Sequence, residues 1–325
     1  MRIGLFLPHV GVFGGVRRYL ELGNEWVALG HDVTLHHPTG EPPAWLPFAG
    51  RTRPLADAVH GHSDVAIAGD AGTWTAFRSH RATHHLYYCV VEGDPGLAAA
   101  IADPSVVLMA NSGPLREAVE RRARRAVLDG IGGIRPERFH PDASRRATVP
   151  LRVLVNGRRS RTKKGTDLVL RALGWLQGHA PAFETVLFDS VDAATNRQDP
   201  RDGAPLPANA RFVLNPSQDE LVALYQSSHV FVAAERKAGW CNTALEALSS
   251  GCGLVCTRSG TTDFARDGQN ALVTWRNPWF LRRAIGRLLT DAPLRDRLSA
   301  AGPASAAPWA WPRLATRILS QMGVA

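Results

Sequence analysis

Short apolar runs alternate with segments of helical periodicity along almost the whole chain. In the first part, the runs predict strands at 2–7, 32–36, 65–68, 86–91 and 106–109, and the segment 16–29 has the apolar spacing of a helix. Strands that alternate with helices are typical of a parallel sheet covered by helices on both faces. We therefore predict a doubly wound domain at the start of the chain.

A second series of the same kind follows a proline-containing stretch at 135–150, which we predict to be a linker. Its runs predict strands at 151–156, 185–189, 211–214, 229–232 and 254–257, and helices at 166–177, 218–227, 278–289 and 294–301. The polar segment 190–210 is predicted to be a surface excursion. The expected fold is α/β, with two doubly wound, Rossmann-like domains at 1–143 and 144–305 that face a cleft. A C-terminal helix at 306–325 is expected to pack back toward the first domain.

Composition limits the class of protein. The chain has 325 residues, of which 45% are hydrophobic, enough for two folded domains. No apolar run approaches the roughly 18–20 residues that cross a bilayer, and we interpret the first run as a strand and not as a secretory signal. The four cysteines (Cys89, Cys241, Cys252 and Cys256) lack metal-ligand spacing, so we expect free thiols and a cytoplasmic location.

The net charge of +9 favours anionic partners. No nucleic-acid-binding motif occurs in the sequence, so we expect no nucleic-acid partner. The densest basic cluster consists of Arg116, Arg121, Arg122, Arg124 and Arg125 in a helical segment. Two interpretations are open: a solvated helix face, or a patch that contacts an anionic acceptor or the lipid head groups at the inner face of a membrane.

A glycine-containing loop follows the first predicted strand, at Gly11, Gly14 and Gly15. Glycines at such a position let the backbone approach a ligand and leave N–H groups open at the start of a helix. The spacing is not GxGxxG, and the second strand ends without an acid for an adenosine ribose, which disfavours NAD. The loop is therefore either a tight strand-to-helix turn or a ligand-facing loop in the cleft.

Two cations follow the first strand of the second series. Arg158 comes directly after Gly157, and Lys164 precedes Gly165 and a predicted helix. The spacing is not that of a Walker A loop, and the chain has no DxD motif, so we expect no metal and no cofactor. Fixed cations at a strand end can hold a diphosphate and neutralise it as it leaves; the alternative is that both are surface cations.

The segment 232–273 carries the third candidate. A strand ends in a loop with Gly239, Trp240 and Cys241, and a helix follows with Glu246 in its interior. A helix N-terminus with open N–H groups is an anion site, and a carboxylate one or two turns further on can hold a ribose. Glu246 is therefore a ligand contact or, alternatively, a solvent-facing acid.

Taken in order along the chain, these motifs resemble the retaining glycosyltransferases of family 4, which have the GT-B fold. The motifs similar to the acceptor domain of that family are Gly14-Gly15, Gly30-His31-Asp32-Val33, Asn111-Ser112 and the segment from Gly133 to Phe139 with Pro141. Those similar to its donor domain are Gly157-Arg158, Lys164-Gly165 and the segment from Gly239 to Glu246. The resemblance covers nearly the whole chain.

The resemblance implies an acceptor-binding first domain and a nucleotide-sugar-binding second domain. Arg158 and Lys164 would act as the catalytic cations on the donor diphosphate, and Glu246 would bind the ribose hydroxyls. Backbone groups would line the sugar and phosphate at Gly239, Trp240, Cys241, Asn242 and Thr243. The implied activity is metal-independent, retaining transfer of a hexose or deoxyhexose from a UDP- or dTDP-sugar to a small-molecule or glycan acceptor.

Two departures from the family pattern leave alternatives open. The family has a glutamate eight residues before the position of Glu246, where this chain has Ala238, and Glu235 is not taken as its substitute. Val91, beside Glu92, stands where many members have a histidine. The missing acid at Ala238 favours a deoxysugar or a sugar held mostly by backbone groups. The segment around Tyr87 faintly resembles rhamnosyltransferase-like members. The rival functions are an inactive nucleotide-sugar-binding partner of another transferase and a nucleotide-sugar 2-epimerase.

Overall fold

The computed structural model describes residues 1–91, 93–146, 150–192, 199, 201–202 and 205–323. The strands are β1 Arg2–Phe6, β2 Asp32–His37, β3 Arg51–Pro54, β4 His62–Ala68, β5 Arg81–Cys89, β6 Val106–Ala110, β7 Val127–Asp129, β8 Leu151–Asn156, β9 Phe183–Asp189, β10 Ala210–Leu214, β11 Val230–Ala233, β12 Gly253–Cys256 and β13 Ala271–Val273. The α-helices are α1 Gly14–Ala28, α2 Trp74–Ser79, α3 Leu97–Ala102, α4 Gly113–Ala123, α5 Thr166–Gly174, α6 Gln218–Gln226, α7 Asn242–Ser249, α8 Pro278–Thr290, α9 Ala292–Ala306 and α10 Trp311–Gln321.

The chain divides into two compact units. The first unit consists mainly of Met1–Gly133 together with the C-terminal segment from Trp311, and the second runs mainly from Ile134 to Ala310. Each unit contains one parallel sheet with helices packed against it, which confirms the predicted pair of Rossmann-like α/β domains. The predicted domain limits are after residues 143 and 305, whereas the observed units divide after Gly133 and after Ala310.

The sheet of the first unit has the strand order β3-β2-β1-β4-β5-β6-β7 within the described residues. The sequence alternation predicted five of these strands, but not the short strands β3 and β7 at its edges. The order reverses between β1 and β4, which is the switch point where ligands bind in doubly wound sheets. Helix α1 buries Leu20 and Trp26 against this sheet because its apolar residues recur with helical spacing.

Helix α10 belongs to the first unit. Its buried face contains Trp311, Leu314 and Ile318, which join the same hydrophobic cluster as α1. The indole Nε1 of Trp26 donates to the backbone oxygen of Ala315 at 3.2 Å. The position of Trp311 against Gly133 needs a glycine, because a Cβ at 133 would lie 2.3 Å from the indole ring. The C-terminal segment is thus packed on the first unit.

The sheet of the second unit has the order β10-β9-β8-β11-β12-β13 within the described residues. The order reverses between β8 and β11, so this pair of neighbours marks its switch point. Helices α5, α8 and α9 cover one face and bury a cluster that includes Val153, Val230, Val255 and Ile285. Helix α5 ends three residues earlier than predicted, at Gly174, and the edge strand β13 was not predicted.

Some predicted features fall partly outside the described residues: Glu92, part of the linker at 147–149 and much of the excursion at 190–210. Among the described residues, no helix is long and apolar enough to cross a membrane. The arginine cluster lies on and just after α4. Within it, Arg116 and Arg121 lie 4.0 Å from glutamates one turn away, while Arg125 donates to the backbone oxygens of Ala100 and Asp103. At least Arg125 therefore has a structural role.

Candidate active site

The loop after β8 places the two predicted diphosphate-binding cations at the switch point of the second sheet. Gly157 directly follows the strand, and a Cβ there would lie 2.6 Å from the ring of Phe212, so a larger residue would have to displace that ring. Gly165 has φ +76° and directly precedes α5, and a Cβ at that position would lie 2.3 Å from the backbone oxygen of Ala234. The loop is therefore held tightly against the end of the neighbouring strand β11.

Arg158 is buried and paired with an acid from the next strand. Its Nη2 donates to Asp189 Oδ1 at 2.7 Å, and its Nε lies 3.0 and 3.1 Å from the two carboxylate oxygens. The side chains are 10% and 3% exposed. A guanidinium in this bidentate arrangement is held in one orientation by charge-assisted hydrogen bonds. The sequence analysis did not predict this pair. Its one indication in the sequence is the acid Asp189 at the end of the predicted strand.

Lys164 is also paired with an acid. Its Nζ lies 2.7 Å from Glu235 Oε1, and the two side chains are 22% and 11% exposed. Glu235 comes directly after Ala234, at the end of β11, so the pair joins the two strands that flank the switch point. The sequence prediction did not include Glu235 among the site residues, because it lies three positions before the expected acid.

The loop between β11 and α7 is fixed by the loop after β12. The Thr257 hydroxyl donates to the backbone oxygen of Glu235 at 2.8 Å, and Ser259 accepts from the backbone N–H of Ala238 at 2.8 Å. The backbone N–H of Cys241 donates to the oxygen of Gly260 at 2.9 Å. These contacts make the loop a rigid support for the residues predicted to line the donor.

Helix α7 begins at Asn242, and no side chain caps its first turn. Such a terminus presents backbone N–H groups and the positive end of the helix dipole. The side-chain oxygen of Asn242 is buried and has no hydrogen-bond partner among the described residues. Trp240 is buried against the rings of Phe264 and Trp309, so its indole anchors the loop to the core of the second unit.

Glu246 lies in the second turn of α7 and is 5% exposed, which excludes the interpretation as a solvent-facing acid. The hydroxyl of Tyr225, on α6, donates to Glu246 Oε2 at 2.9 Å. Thr243 and Cys241 lie at the start of the same helix, with their Oγ1 and Sγ atoms 3.6 Å apart. Burial, followed by the charge of Glu235, raises the pKa of the Cys241 thiol, so it stays protonated at neutral pH.

The second unit therefore brings most predicted donor residues together on neighbouring loops. Gly14 and Gly15, by contrast, lie in the first unit at the start of α1. Neither has a positive φ, and a Cβ on Gly15 would make only ordinary contacts, with Phe13 and Val90. The described residues contain no group of three or more His, Cys, Asp or Glu side chains that could hold a metal ion.

Comparison with known proteins places this site within a family model. Residues 140–305 match the model described as glycosyl transferases group 1. Two curated relatives are both D-inositol 3-phosphate glycosyltransferases. The protein from Corynebacterium jeikeium is 30% identical over 103 residues, which cover 31% of this chain and 25% of that protein. The protein from Corynebacterium urealyticum is 26% identical over 194 residues, which cover 56% of this chain and 46% of that protein. The match thus spans between a quarter and about half of these relatives.

Solved structures with a similar fold cover the whole chain. Sucrose-phosphate synthase from Thermosynechococcus elongatus superposes with a TM-score of 0.77 at 16% identity, covering 99% of this chain and 98% of that one. The Anabaena protein HepE in complex with UDP and glucose gives a TM-score of 0.79 at 14% identity, with full coverage of both chains. At such identities the likeness concerns the fold alone.

Proposed function

The chain belongs to the group 1 glycosyl transferases, and from this we propose that it is a retaining, metal-independent enzyme. Its donor is a UDP- or dTDP-linked hexose or deoxyhexose, and its acceptor is a small molecule or a glycan. The observation that carries the proposal is the cluster at the switch point of the second sheet. There, Arg158 and Lys164 follow one strand, and the start of α7 with Glu246 follows its neighbour.

Each part of this cluster has a role in the proposed reaction. Lys164, with the open N–H groups at the start of α7, stabilises the diphosphate as negative charge develops on it, and Arg158 adds its charge from its fixed pair with Asp189. Glu246 accepts hydrogen bonds from the ribose hydroxyls. The anomeric centre passes through an oxocarbenium-like state, and the leaving diphosphate takes the proton of the acceptor hydroxyl on the same face of the sugar. No separate catalytic base is needed in this scheme.

The first experiment identifies the donor. A thermal-shift panel with UDP, dTDP, GDP and their sugars is expected to show stabilisation by one nucleotide and its hexose, because a ligand bound to the folded state raises its apparent stability. Release of nucleoside diphosphate is then followed with and without EDTA, and we expect equal rates. Retention is checked by NMR of the anomeric proton of the product.

The role of Lys164 is tested by Lys164→Ala. We expect a loss of about 10²–10³ in turnover, the size typical for removing one group that stabilises developing charge. The variant Arg283→Ala, which changes an exposed arginine on α8 in the second unit, is the control and should retain full turnover. Unchanged turnover in Lys164→Ala would contradict the assignment.

A second candidate function is favoured by Ala238, which stands where the family has an acid. In that case the chain binds a nucleotide sugar and supports another transferase without turning over itself. Tight binding in the thermal-shift panel combined with no release of nucleoside diphosphate, alone or with acceptor glycans, would favour this alternative.

A further inference from the structure

The carboxylate of Glu235 lies inside the candidate donor site, and the proposed reaction leaves it without a role. The residue is 9% exposed and lies two positions after the end of β11 and three positions before Ala238. Ala238 itself packs toward Gly260, since a Cβ on Gly260 would lie 2.9 Å from the methyl carbon of Ala238. The methyl group of Ala238 has no polar atom for a ligand. The acid in this loop that contacts Lys164 is Glu235.

The contacts of Glu235 fall on one of its two carboxylate oxygens. Lys164 Nζ lies 2.7 Å from Oε1, and the thiol of Cys241 lies 3.5 Å from the same atom. No described residue donates a hydrogen bond to Oε2. An ionised carboxylate has about four lone-pair sites on its two oxygens. Glu235 thus retains acceptor capacity at Oε2, although the side chain is largely buried.

Lys164 can keep this contact while it binds a phosphate. Its ammonium group has three N–H donors, and the contact with Glu235 uses one of them. The carboxylate also compensates part of the positive charge in this loop, where Arg161 and Lys163 lie close by. Burial, followed by the charges of Arg161 and Lys164, lowers the pKa of Lys163, and Glu235 opposes this shift. The pair therefore fixes Lys164 without consuming its capacity for the donor.

We propose that Glu235 is the sugar-reading residue of this site. Oε1 positions Lys164 against the diphosphate, and Oε2 accepts a hydrogen bond from a hydroxyl of the transferred sugar. The proposal rests on the proposed function and narrows its donor class to a hexose with a hydroxyl at the position that faces Glu235. A sugar with a deoxy position there would leave a buried charged acceptor unsatisfied, which a binding site penalises strongly.

The test measures affinities by isothermal titration calorimetry. It asks whether the loss of one sugar hydroxyl weakens binding only when the Glu235 carboxylate is present. The ligands are the free nucleoside diphosphate, the hexose donor with the largest thermal shift, and the monodeoxy analogues of that donor. For the wild type, we expect one monodeoxy analogue to bind about tenfold or more weakly than the parent sugar, as for a lost hydrogen bond to a charged group. In Glu235→Gln, this ratio should fall below about threefold.

The free nucleoside diphosphate separates the two roles. Its affinity in Glu235→Gln should stay within about threefold of the wild type, because the amide oxygen still accepts from Lys164. In Glu235→Ala, its affinity should also fall, since Lys164 loses its fixed partner. The matched control is Asp296→Asn, the same change of carboxylate to amide at a 77% exposed site of the same unit, and it should leave every affinity unchanged.

Three results would overturn the proposal. The first is equal affinity of the wild type for the parent sugar donor and for every monodeoxy analogue. This result can be obtained without any variant. The second is discrimination that keeps the wild-type ratio in Glu235→Ala, because the alanine side chain cannot form a hydrogen bond and another group must then contact the hydroxyl. The third is an equal loss of affinity for the free diphosphate and the sugar donor in Glu235→Gln. A wild type that binds no nucleotide at all would instead refute the proposed function itself.

Discussion

Replacement of Arg158 by alanine is expected to destabilise the second unit strongly. Arg158 makes three hydrogen bonds to Asp189, and the carboxylate side chain is only 3% exposed. Removal of one member of a buried ion pair costs about 3–5 kcal/mol, because the remaining charge loses an ion-pair contact away from water. In a unit of this size, 1 kcal/mol corresponds to about 2–4 °C in the midpoint of thermal unfolding. We therefore expect the midpoint of Arg158→Ala to fall by about 6–20 °C.

The assay is thermal and urea unfolding of the purified full chain, followed by circular dichroism. The matched control is Arg138→Ala, because Arg138 makes a contact of the same 2.7 Å length with Asp219, whose side chain is 96% exposed. Exposed pairs contribute about 0–1 kcal/mol, so this variant should unfold close to the wild type. The double variant Arg158→Met with Asp189→Asn should recover part of the loss, since the buried carboxylate charge is removed together with the guanidinium. Equal stability of Arg158→Ala and Arg138→Ala would refute the reasoning.

Three further predictions concern single residues. Gly165→Ala should lower the free energy of unfolding by about 2–3 kcal/mol, because it combines a left-handed φ with a backbone clash. The control is Gly174→Ala on α5, where a Cβ meets nothing within 4 Å; in the same urea titration it should be neutral or stabilising. Burial raises the pKa of Cys252 and of Cys256 to about 12, so Ellman's reagent at pH 8 should label these thiols far more slowly in the folded chain than in guanidinium chloride. Burial, followed by the neighbouring His80, lowers the pKa of His36 to about 4. In an NMR titration its ring should stay neutral down to about pH 5. The free energy of unfolding should decrease as the pH falls from about 6.5 to 4, because the unfolded chain takes up the proton first.

The fold was predictable because its central strands are buried on both faces. Strand β11 consists entirely of apolar residues, and β1 and β8 each contain a run of at least three buried residues that are apolar or glycine, so each strand can be recognised in the sequence. The strands that were missed lie at or near the sheet edges. Strand β3 has the sequence Arg-Thr-Arg-Pro, and β7 and β13 have three residues each. Their formation depends on pairing with a neighbour, which no local pattern records.

The candidate site was predictable only in part, for a related reason. Loops after strands can be located from glycines such as Gly157 and Gly165. A Cβ at Gly165 would lie 2.3 Å from the backbone oxygen of Ala234, and a Cβ at Gly157 would lie 2.6 Å from the ring of Phe212. The partners of the two cations could not be found in this way. Asp189 lies 31 residues after Arg158, and Glu235 lies 71 residues after Lys164. Only the order of strands in the sheet brings these pairs together.

The two ion pairs differ in a way that separates their roles in donor binding. Asp189 holds Arg158 through a bidentate contact with Nε and Nη2, so the guanidinium is oriented by the core and has little freedom to follow a substrate. Lys164 is held by one contact, and its ammonium keeps two donors for a second partner. A diphosphate that enters this site therefore finds Lys164 already placed and only partly neutralised. Arg158 can contribute its charge from a fixed position, but it cannot move toward the ligand unless a pair with a nearly fully buried carboxylate breaks. The sensitivity of turnover to substitution should consequently be greatest at Lys164, whereas the sensitivity of folding should be greatest at Arg158.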